Sequence, residues 1–497
     1  MGKARRAVKP WSKIYSLSGG VKVYKLFIGG NWVLSSGRKT IDVIDPATQR
    51  IVGRVQRAGK KDVDKAIEAA WKAKDIISSM SVVERAEMLE RIGKLVEEHK
   101  KDFVNILVRE AGKPVSYAEG EVQAGIERLK FALQEVRSLK GECIPGDFVP
   151  DAVNRFAIVK RKPYGVVVAI SPFNYPFFIS ISKIVPAVLS GNSVVLKAAS
   201  DDPICMLMFG RMAELGGMPK GVLNIITGSG SEIGDYLVSH PKVGMISFTG
   251  SSAAGKHIAS VAGMKKLHLE LGGKGAGIVF EDADIDLAVR ECAKGALKFS
   301  GQRCDAISRI LVQEKIHDQF VKKMVAEVKK WRMGDPRKRD TKIGPLINER
   351  AVKKVEELVS DAVDKGAKVL LGGKRRGLYF QPTVLVGVNE KMRIAWEETF
   401  GPVVTIMKFK TLEEAVRISN QSNYGLDSSV FTTDINKAIK VANMLECGSV
   451  TINGAPAHGL GNFPFGGDKD SGLGREGLEY SLREMTKLHT IVFAKSL

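Results

Sequence analysis

Between residues 166 and 279 the chain repeats one pattern, a short apolar run of β type followed by a stretch with helical periodicity. The apolar runs fall at 166–170, 193–196, 223–226, 245–248 and 276–280. The helical stretches between them lie at 179–189, 204–215, 231–239 and 254–263. A strand that is apolar on both faces must be covered on both faces. The alternation therefore predicts a parallel sheet clad in helices. A second alternating region follows, with helical patterns near 287–299, 316–332, 350–365, 412–419 and 435–445. Its strand candidates are 310–312, 403–409, 429–432 and 449–452. The predicted class is α/β, with two lobes built on parallel-rich sheets. A helical stretch over 61–139 is expected to pack on the first lobe. The last apolar run, 490–493, has no hairpin partner nearby and is expected to join a sheet elsewhere, in this subunit or another.

The chain has 497 residues, enough for two or three domains at about 150 residues each. No uncharged apolar run approaches the ~18 residues of a membrane span, so no membrane association is expected. The formal net charge is +21. No acidic residue precedes Asp42, whereas Lys3, Arg5, Arg6, Lys9, Lys13, Lys22, Lys25, Arg38 and Lys39 do. No apolar segment follows these residues as a secretion signal requires. A basic field favours anionic partners, and a plain solvated surface accounts for it equally. Cys143, Cys205, Cys292, Cys304 and Cys447 are scattered, without zinc spacing or a disulfide pattern. A reducing cytoplasm and no metal are expected.

Three residues stand out chemically. Cys304 lies in Ser300-Gly301-Gln302-Arg303-Cys304, among small or cationic neighbours. An adjacent cation favours the thiolate, the reactive form. A buried, inert thiol is the commoner fate of a lone cysteine. Glu270, in Leu269-Glu270-Leu271-Gly272-Gly273, is an acid flanked by leucines. Burial would raise its pKa towards that of a general base, and a structural ion pair is the alternative. Asn174 follows the first strand in Ser171-Pro172-Phe173-Asn174-Tyr175-Pro176. Two prolines stiffen that loop, so its amide suits an oxyanion donor, or simply a turn. Gly228-Ser229-Gly230 running on to Gly234, and Gly250-Ser251 running on to Gly255, each join a strand to a helix. Either could bring a helix N-terminus to a dinucleotide phosphate, or be an ordinary tight turn.

Taken in order, Pro172-Phe173-Asn174, Leu269-Glu270-Leu271-Gly272-Gly273, Gly301-Gln302-Arg303-Cys304, Glu398-Thr399-Phe400-Gly401-Pro402 and Pro464-Phe465-Gly466-Gly467 resemble the motifs of aldehyde dehydrogenases. Lys469, Ser471-Gly472 and Arg475-Glu476-Gly477 continue the match, which spans nearly the whole chain from about Phe27. Within the family, Ala169 to Pro176, Thr227 to Tyr236 and Ile144-Pro145-Gly146-Asp147 look most like non-phosphorylating glyceraldehyde-3-phosphate dehydrogenases, the archaeal branch above all. The resemblance implies an NAD(P)-dependent oxidation of an aldehyde to its acid. Cys304 would be the nucleophile, Asn174 with the Cys304 amide the oxyanion site, and Glu270 the base for the hydrolytic water.

It also implies contacts. Lys197 and Ser200 match residues at the adenine-side ribose, Glu398 the nicotinamide-side ribose, and Phe400 packs beside the nicotinamide. Ser171, Phe173 and Leu271 join them, with Gly230, Gly234, Gly250, Ser251 and Gly255 at the two turns. Family members that use NAD usually carry glutamate where this chain has Ser200. Serine leaves Lys197 free for a 2′-phosphate, which favours NADP with NAD also used; Asp201 and Asp202, just beyond, oppose this. Tyr175 and Arg303 match residues that hold a substrate phosphate. Two further arginines of bacterial members are missing near Ala124 and at His458, and Arg128 is the available substitute. The implied division is 1–140 with 160–270 for the cofactor, 271–478 for catalysis, and 141–159 with 479–497 for assembly as a dimer of dimers.

Glyceraldehyde 3-phosphate is the expected substrate. The missing arginines leave open another small aldehyde, such as lactaldehyde or succinate semialdehyde. The basic N-terminal segment leaves open a non-catalytic nucleic-acid or surface-binding role on this fold. Retention of Cys304, Glu270 and Asn174 together speaks against that third reading.

Overall fold

The fold is described from a computed structural model over residues 10–458 and 463–494. Lys3, Arg5, Arg6 and Lys9 of the basic segment lie outside those residues.

Val166–Ile170 forms the centre of an eight-stranded sheet. Lys266–Glu270, Met245–Thr249, Val166–Ile170, Ser193–Lys197 and Leu223–Ile226 lie side by side and parallel. Gly472–Leu473 adds antiparallel at one edge, and Leu26–Ile28 with Asn31–Val33 at the other. Val166, Val167, Val168 and Ala169 are all inaccessible to solvent, because helices cover both faces. On one side, helices Val82–Glu98, Lys100–Glu110, Val115–Lys130, Pro176–Leu189 and Ile204–Leu215 contribute to one apolar core. On the other, Lys60–Ser79, Gly230–Ser239 and Ser252–Val261 close a second. The helical stretch expected over 61–139 thus packs on the first sheet as separate helices, the first on one face and the others on the opposite face.

The second sheet has seven strands in the order Lys368–Leu371, Thr383–Val386, Val403–Phe409, Ile307–Gln313, Gly275–Val279, Asp427–Phe431 and Ser449–Ile452. All but the first strand run parallel. The run read at 276–280 therefore belongs here and not to the first unit. The fifth parallel strand of the first sheet is instead Lys266–Glu270, whose alternating Lys266, His268 and Glu270 hide it from a search for apolar runs.

The run at 490–493 is the end of Thr486–Phe493, which pairs antiparallel along its whole length with Phe156–Pro163 of the same chain. Glu142–Pro145 adds on the far side of Phe156–Pro163. Phe156 and Phe493 stack at 4.4 Å between ring centroids. Among the described residues no helix is long and apolar enough to cross a membrane.

Candidate active site

The two lobes meet in opposite senses. Asn174, Lys197, Glu270 and Gly250 all lie at or just beyond the carboxyl ends of first-sheet strands, where α/β sheets bind ligands. Cys304 precedes Ile307–Gln313, and Glu398 and Phe400 precede Val403–Phe409. The second sheet therefore presents its amino-terminal edge. Two glycines allow the loops at this edge to pack against one another. A Cβ on Gly273 would lie 2.2 Å from the Cys304 carbonyl oxygen, and one on Gly301 (φ +70°) would lie 2.1 Å from that of Gly401. Neither approach tolerates a side chain.

Cys304 is half-buried in a turn. Phe299 and Ser300 precede it in the left-handed region, at φ 52° and 56°. Ser300 secures this strained run by hydrogen bonds of 3.0 Å to both the amide and the carbonyl of Gly344. The Asn174 side-chain amide donates to the Gln302 carbonyl at 3.0 Å, which aims it at the loop that carries Cys304. Glu270 is 2% exposed. Neither of its oxygens has a full hydrogen-bond partner, although the Glu476 amide lies close enough to act on the charge. Burial and then the Glu476 carboxylate hold the Glu270 pKa well above the ordinary carboxylate range.

The cation expected to activate Cys304 is otherwise engaged. Arg303 Nε lies 3.3 Å from Asp305 Oδ1, and both side chains are buried. Burial, followed by Asp305, Asp427, Glu270 and Glu398, pushes the Cys304 thiol well above its usual range. The sequence reading of a thiolate stabilised by its neighbour is corrected: the pair is close to neutral, and the charges that act most strongly on the sulfur are carboxylates.

On the first-sheet side Lys197 Nζ approaches the Ser200 hydroxyl at 3.4 Å, and Ser200 donates to the Gly228 carbonyl at 3.1 Å. Burial lowers Lys197 to about 8, with Asp201 opposing from a distance. Asp201 itself accepts from Asn348 at 3.2 Å, and Asp202 points into the interior near Glu110 and Lys113. Gly230 opens the helix Gly230–Ser239, and neither it nor Gly234 has a neighbour within 4 Å of a Cβ. Ser251 caps the next helix by accepting from the Ala254 amide at 3.3 Å, with Gly255 against Leu271. Glu398 accepts from the Gly273 amide at 3.2 Å, and Phe400 meets Phe173 edge-on at 5.7 Å. Ser171 Oγ and Thr249 Oγ1 are buried without protein partners. A buried cation beside a hydroxyl, two helix N-termini and orphaned hydroxyls suit a phosphorylated dinucleotide.

A family profile described as "Aldehyde dehydrogenase family" matches residues 32–491. The chain belongs to that family. The NADP-dependent glyceraldehyde-3-phosphate dehydrogenase of Streptococcus equinus is 42% identical over 479 residues, covering 95% of this chain and 99% of that protein. The 3-sulfolactaldehyde dehydrogenase of Priestia aryabhattai is 38% identical over 472 residues, 95% of this chain and 98% of its own. Among solved structures, the glyceraldehyde-3-phosphate dehydrogenase of Methanocaldococcus jannaschii complexed with NADP superposes with a TM-score of 0.87 at 39% identity, over 92% of this chain and 99% of that one. This aldehyde dehydrogenase is thus an NAD(P)-dependent oxidoreductase.

The residues matched to substrate phosphate trace a broken rim around the Cys304 turn, Arg128 to His458 as one run of contacts and Tyr175 with Phe299 as another. Arg128 lies 5.6 Å from the Phe178 ring. Phe178 meets His458 edge-on at 5.4 Å. His458 stacks on Phe465 at 4.0 Å, approaches Glu476 at 3.1 Å, and donates its backbone amide to Asp305 at 3.2 Å. Tyr175 packs against Phe299 at 5.9 Å. Sequence reading missed the buried ion pairs behind this rim. Lys183 pairs with Glu476 at 2.8 Å and Lys113 with Glu121. Lys183 carried a signal, since it is the one charged residue in the helix Pro176–Leu189.

Proposed function

We propose that this chain oxidises glyceraldehyde 3-phosphate to 3-phosphoglycerate without phosphorylation, using NADP by preference. The observation that carries the cofactor choice is Lys197 beside Ser200, a buried cation with a hydroxyl and not a carboxylate at the position where a 2′-phosphate would lie. Relatives named for that substrate, at about 40% identity over 95% of the chain, support the aldehyde. Tyr175, Arg303 and Arg128 are the candidate groups for its phosphate, with His458 at the edge of the same rim.

Cys304 attacks the aldehyde carbonyl as the thiolate, after its half-exposed thiol has lost its proton to solvent. The Asn174 amide and the Cys304 backbone N–H hold the developing oxyanion. When bound, the nicotinamide supplies a hydride acceptor, and a thioester on Cys304 results. Glu270 then deprotonates the water that hydrolyses it. Covalent capture divides one difficult step into two easier ones.

The reading extends to organisation. Residues 1–140 and 160–270 serve the cofactor, 271–478 catalysis, and 141–159 with 479–497 assembly into a dimer of dimers. Leu488 and Val492, 63% and 62% exposed on the three-stranded sheet, support a surface that another subunit covers. Five free cysteines support a reducing cytoplasm.

A second reading is favoured by the Arg303–Asp305 pair, which occupies a phosphate ligand: another small aldehyde, such as lactaldehyde or succinate semialdehyde. Comparing kcat/KM for glyceraldehyde 3-phosphate and glyceraldehyde, each with NADP and NAD, separates the two. Equal efficiency on both aldehydes overturns the phosphate assignment.

A further inference from the structure

Lys113 has no access to solvent. It follows the helix Lys100–Glu110 in the turn Ala111-Gly112-Lys113-Pro114. Removing an ammonium from water costs several kcal/mol unless opposite charge and hydrogen bonds replace its hydration. Its surroundings supply both. Nζ pairs with the buried carboxylate of Glu121 and donates to the backbone carbonyl of Asn174 at 2.7 Å. It also lies 3.9 Å from the Tyr175 ring centroid and 4.3 Å from that of Phe299, within cation–π range.

These partners come from both halves of the catalytic site. Asn174 and Tyr175 belong to the loop that leaves Val166–Ile170. Phe299 begins the left-handed run that delivers Cys304. Glu121 accepts from the amides of Phe177 and Phe178 at 2.9 and 3.2 Å, which fixes the start of the helix following Asn174. The Asn174 side chain then donates forward to Gln302. One ammonium therefore grips the Asn174 backbone from behind while the amide faces the nucleophile loop. An ion pair serving stability alone needs only Glu121; the bond to the Asn174 carbonyl gives Lys113 a second consequence.

We propose that Lys113 is a positioning residue for acylation, holding Asn174 so that its amide meets the oxygen of the acyl centre on Cys304. The proposal rests on the reading of Asn174 as an oxyanion donor. Such donors act because they are placed in advance, and a shift of about 1 Å can cost on the order of a hundredfold in rate.

Lys113→Met alone strands the Glu121 carboxylate, so the test uses Lys113→Met with Glu121→Gln. Replacing a buried ion pair by neutral groups of similar volume is often neutral for stability. The side-chain carbonyl introduced by Glu121→Gln can still accept from the Phe177 amide. Four full-length proteins are compared: wild type, this double variant, Asn174→Ala, and the three changes together. Thermal midpoints and the pre-steady-state burst of reduced cofactor are measured at saturating aldehyde. The double variant should melt near wild type yet lose about tenfold or more in burst rate, with KM little changed. Added to Asn174→Ala, it should cost almost nothing further, the non-additivity of groups acting through one contact.

A double variant with the wild-type burst rate, a double variant that fails to fold, or losses that simply multiply would each overturn the positioning role. An undiminished burst in Asn174→Ala alone would overturn the oxyanion reading instead, which separates the two failures.

Discussion

Arg303 and Asp305 flank Cys304 in the chain and pair with each other, guanidinium Nε to carboxylate Oδ1 at 3.3 Å. The carboxylate neutralises the only cation adjacent to the thiol in sequence. It also acts directly on the sulfur, second only to burial in raising the Cys304 pKa. A raised thiol pKa keeps the resting cysteine protonated at neutral pH, so its proton must be taken by a base before attack.

Asp305→Asn should therefore lower the Cys304 pKa, because it deletes an anion beside the sulfur and frees Arg303. The rate of alkylation by iodoacetamide as a function of pH reads this directly. The alkaline rise in reactivity should move to lower pH. A profile that stays in place means that Asp305 does not govern the thiol.

Cys304→Ser should abolish oxidation while leaving the fold intact, since a hydroxyl is a far weaker nucleophile than a thiolate. Retaining a tenth of wild-type turnover, about 1.4 kcal/mol in barrier, is more than a variant lacking its nucleophile should manage and would end that assignment.

Glu270→Gln should separate the two half-reactions. Rapid mixing should give about one reduced cofactor per site, then almost no steady state. In the wild type the raised Glu270 pKa sets the sign of the pH dependence. The ionised form is the base, so deacylation is complete above the folded pKa and is lost as pH falls through it. That acid limb should begin above the ordinary carboxylate range. A vanished burst with a persistent steady state would place Glu270 in acylation alone.

Local composition explains what is legible in the sequence. Val166–Ile170, Leu223–Ile226 and Val403–Phe409 are mostly apolar on both faces, and their bounds can be read to the residue. Those of Lys266–Glu270 cannot, because its polar residues face a buried chemical network and not solvent: His268 and Glu270 are each 2% exposed. Cys304, Glu270 and Asn174 are legible as chemistry-bearing residues because each sits in an unusual local setting. The sequence places Asp305 within reach of Arg303 but does not say that the two pair, since the direction of a side chain is set by tertiary packing. Lys113 and Glu121 lie on either side of a helix start and meet Asn174 only in the folded lobe. No spacing announces such a contact.

Ser200→Glu should move cofactor preference from NADP towards NAD by placing a carboxylate beside Lys197. Roughly 1–3 kcal/mol of discrimination is at stake. Lys197 adds a pH signature. Its pKa is lowered to about 8 by burial, and a 2′-phosphate would raise it again by pairing. Binding through that pair is full below about 8 and weakens as pH rises through it, for NADP but not for NAD. Parallel pH dependences for the two cofactors, measured by fluorescence titration, would remove Lys197 from the 2′-phosphate.

Arg303 remains the sharpest test of the substrate. Its guanidinium is buried and held by Asp305, with further donations to the Gly295 and Asp305 carbonyls at 3.4 and 3.3 Å. A substrate phosphate would have to share it with Asp305 or draw it away. Arg128, packed against Phe178 on the same rim, offers a second charge. A charge-assisted contact to phosphate contributes roughly 1.5–3 kcal/mol. If Arg303 holds phosphate, Arg303→Ala should raise KM for glyceraldehyde 3-phosphate about tenfold or more and leave glyceraldehyde nearly unchanged. If Arg303 serves only to balance Asp305, its removal leaves an uncompensated buried carboxylate beside the thiol. Both aldehydes should then lose rate together, and the pH profile should shift alkaline as the Cys304 pKa climbs further. Arg128→Ala separates the remaining case, because it lies far from the sulfur in sequence and touches the rim through Phe178. A selective rise in KM for the phosphorylated aldehyde in Arg128→Ala, with an equal loss on both substrates in Arg303→Ala, would move the phosphate site from the nucleophile loop to the helix Val115–Lys130.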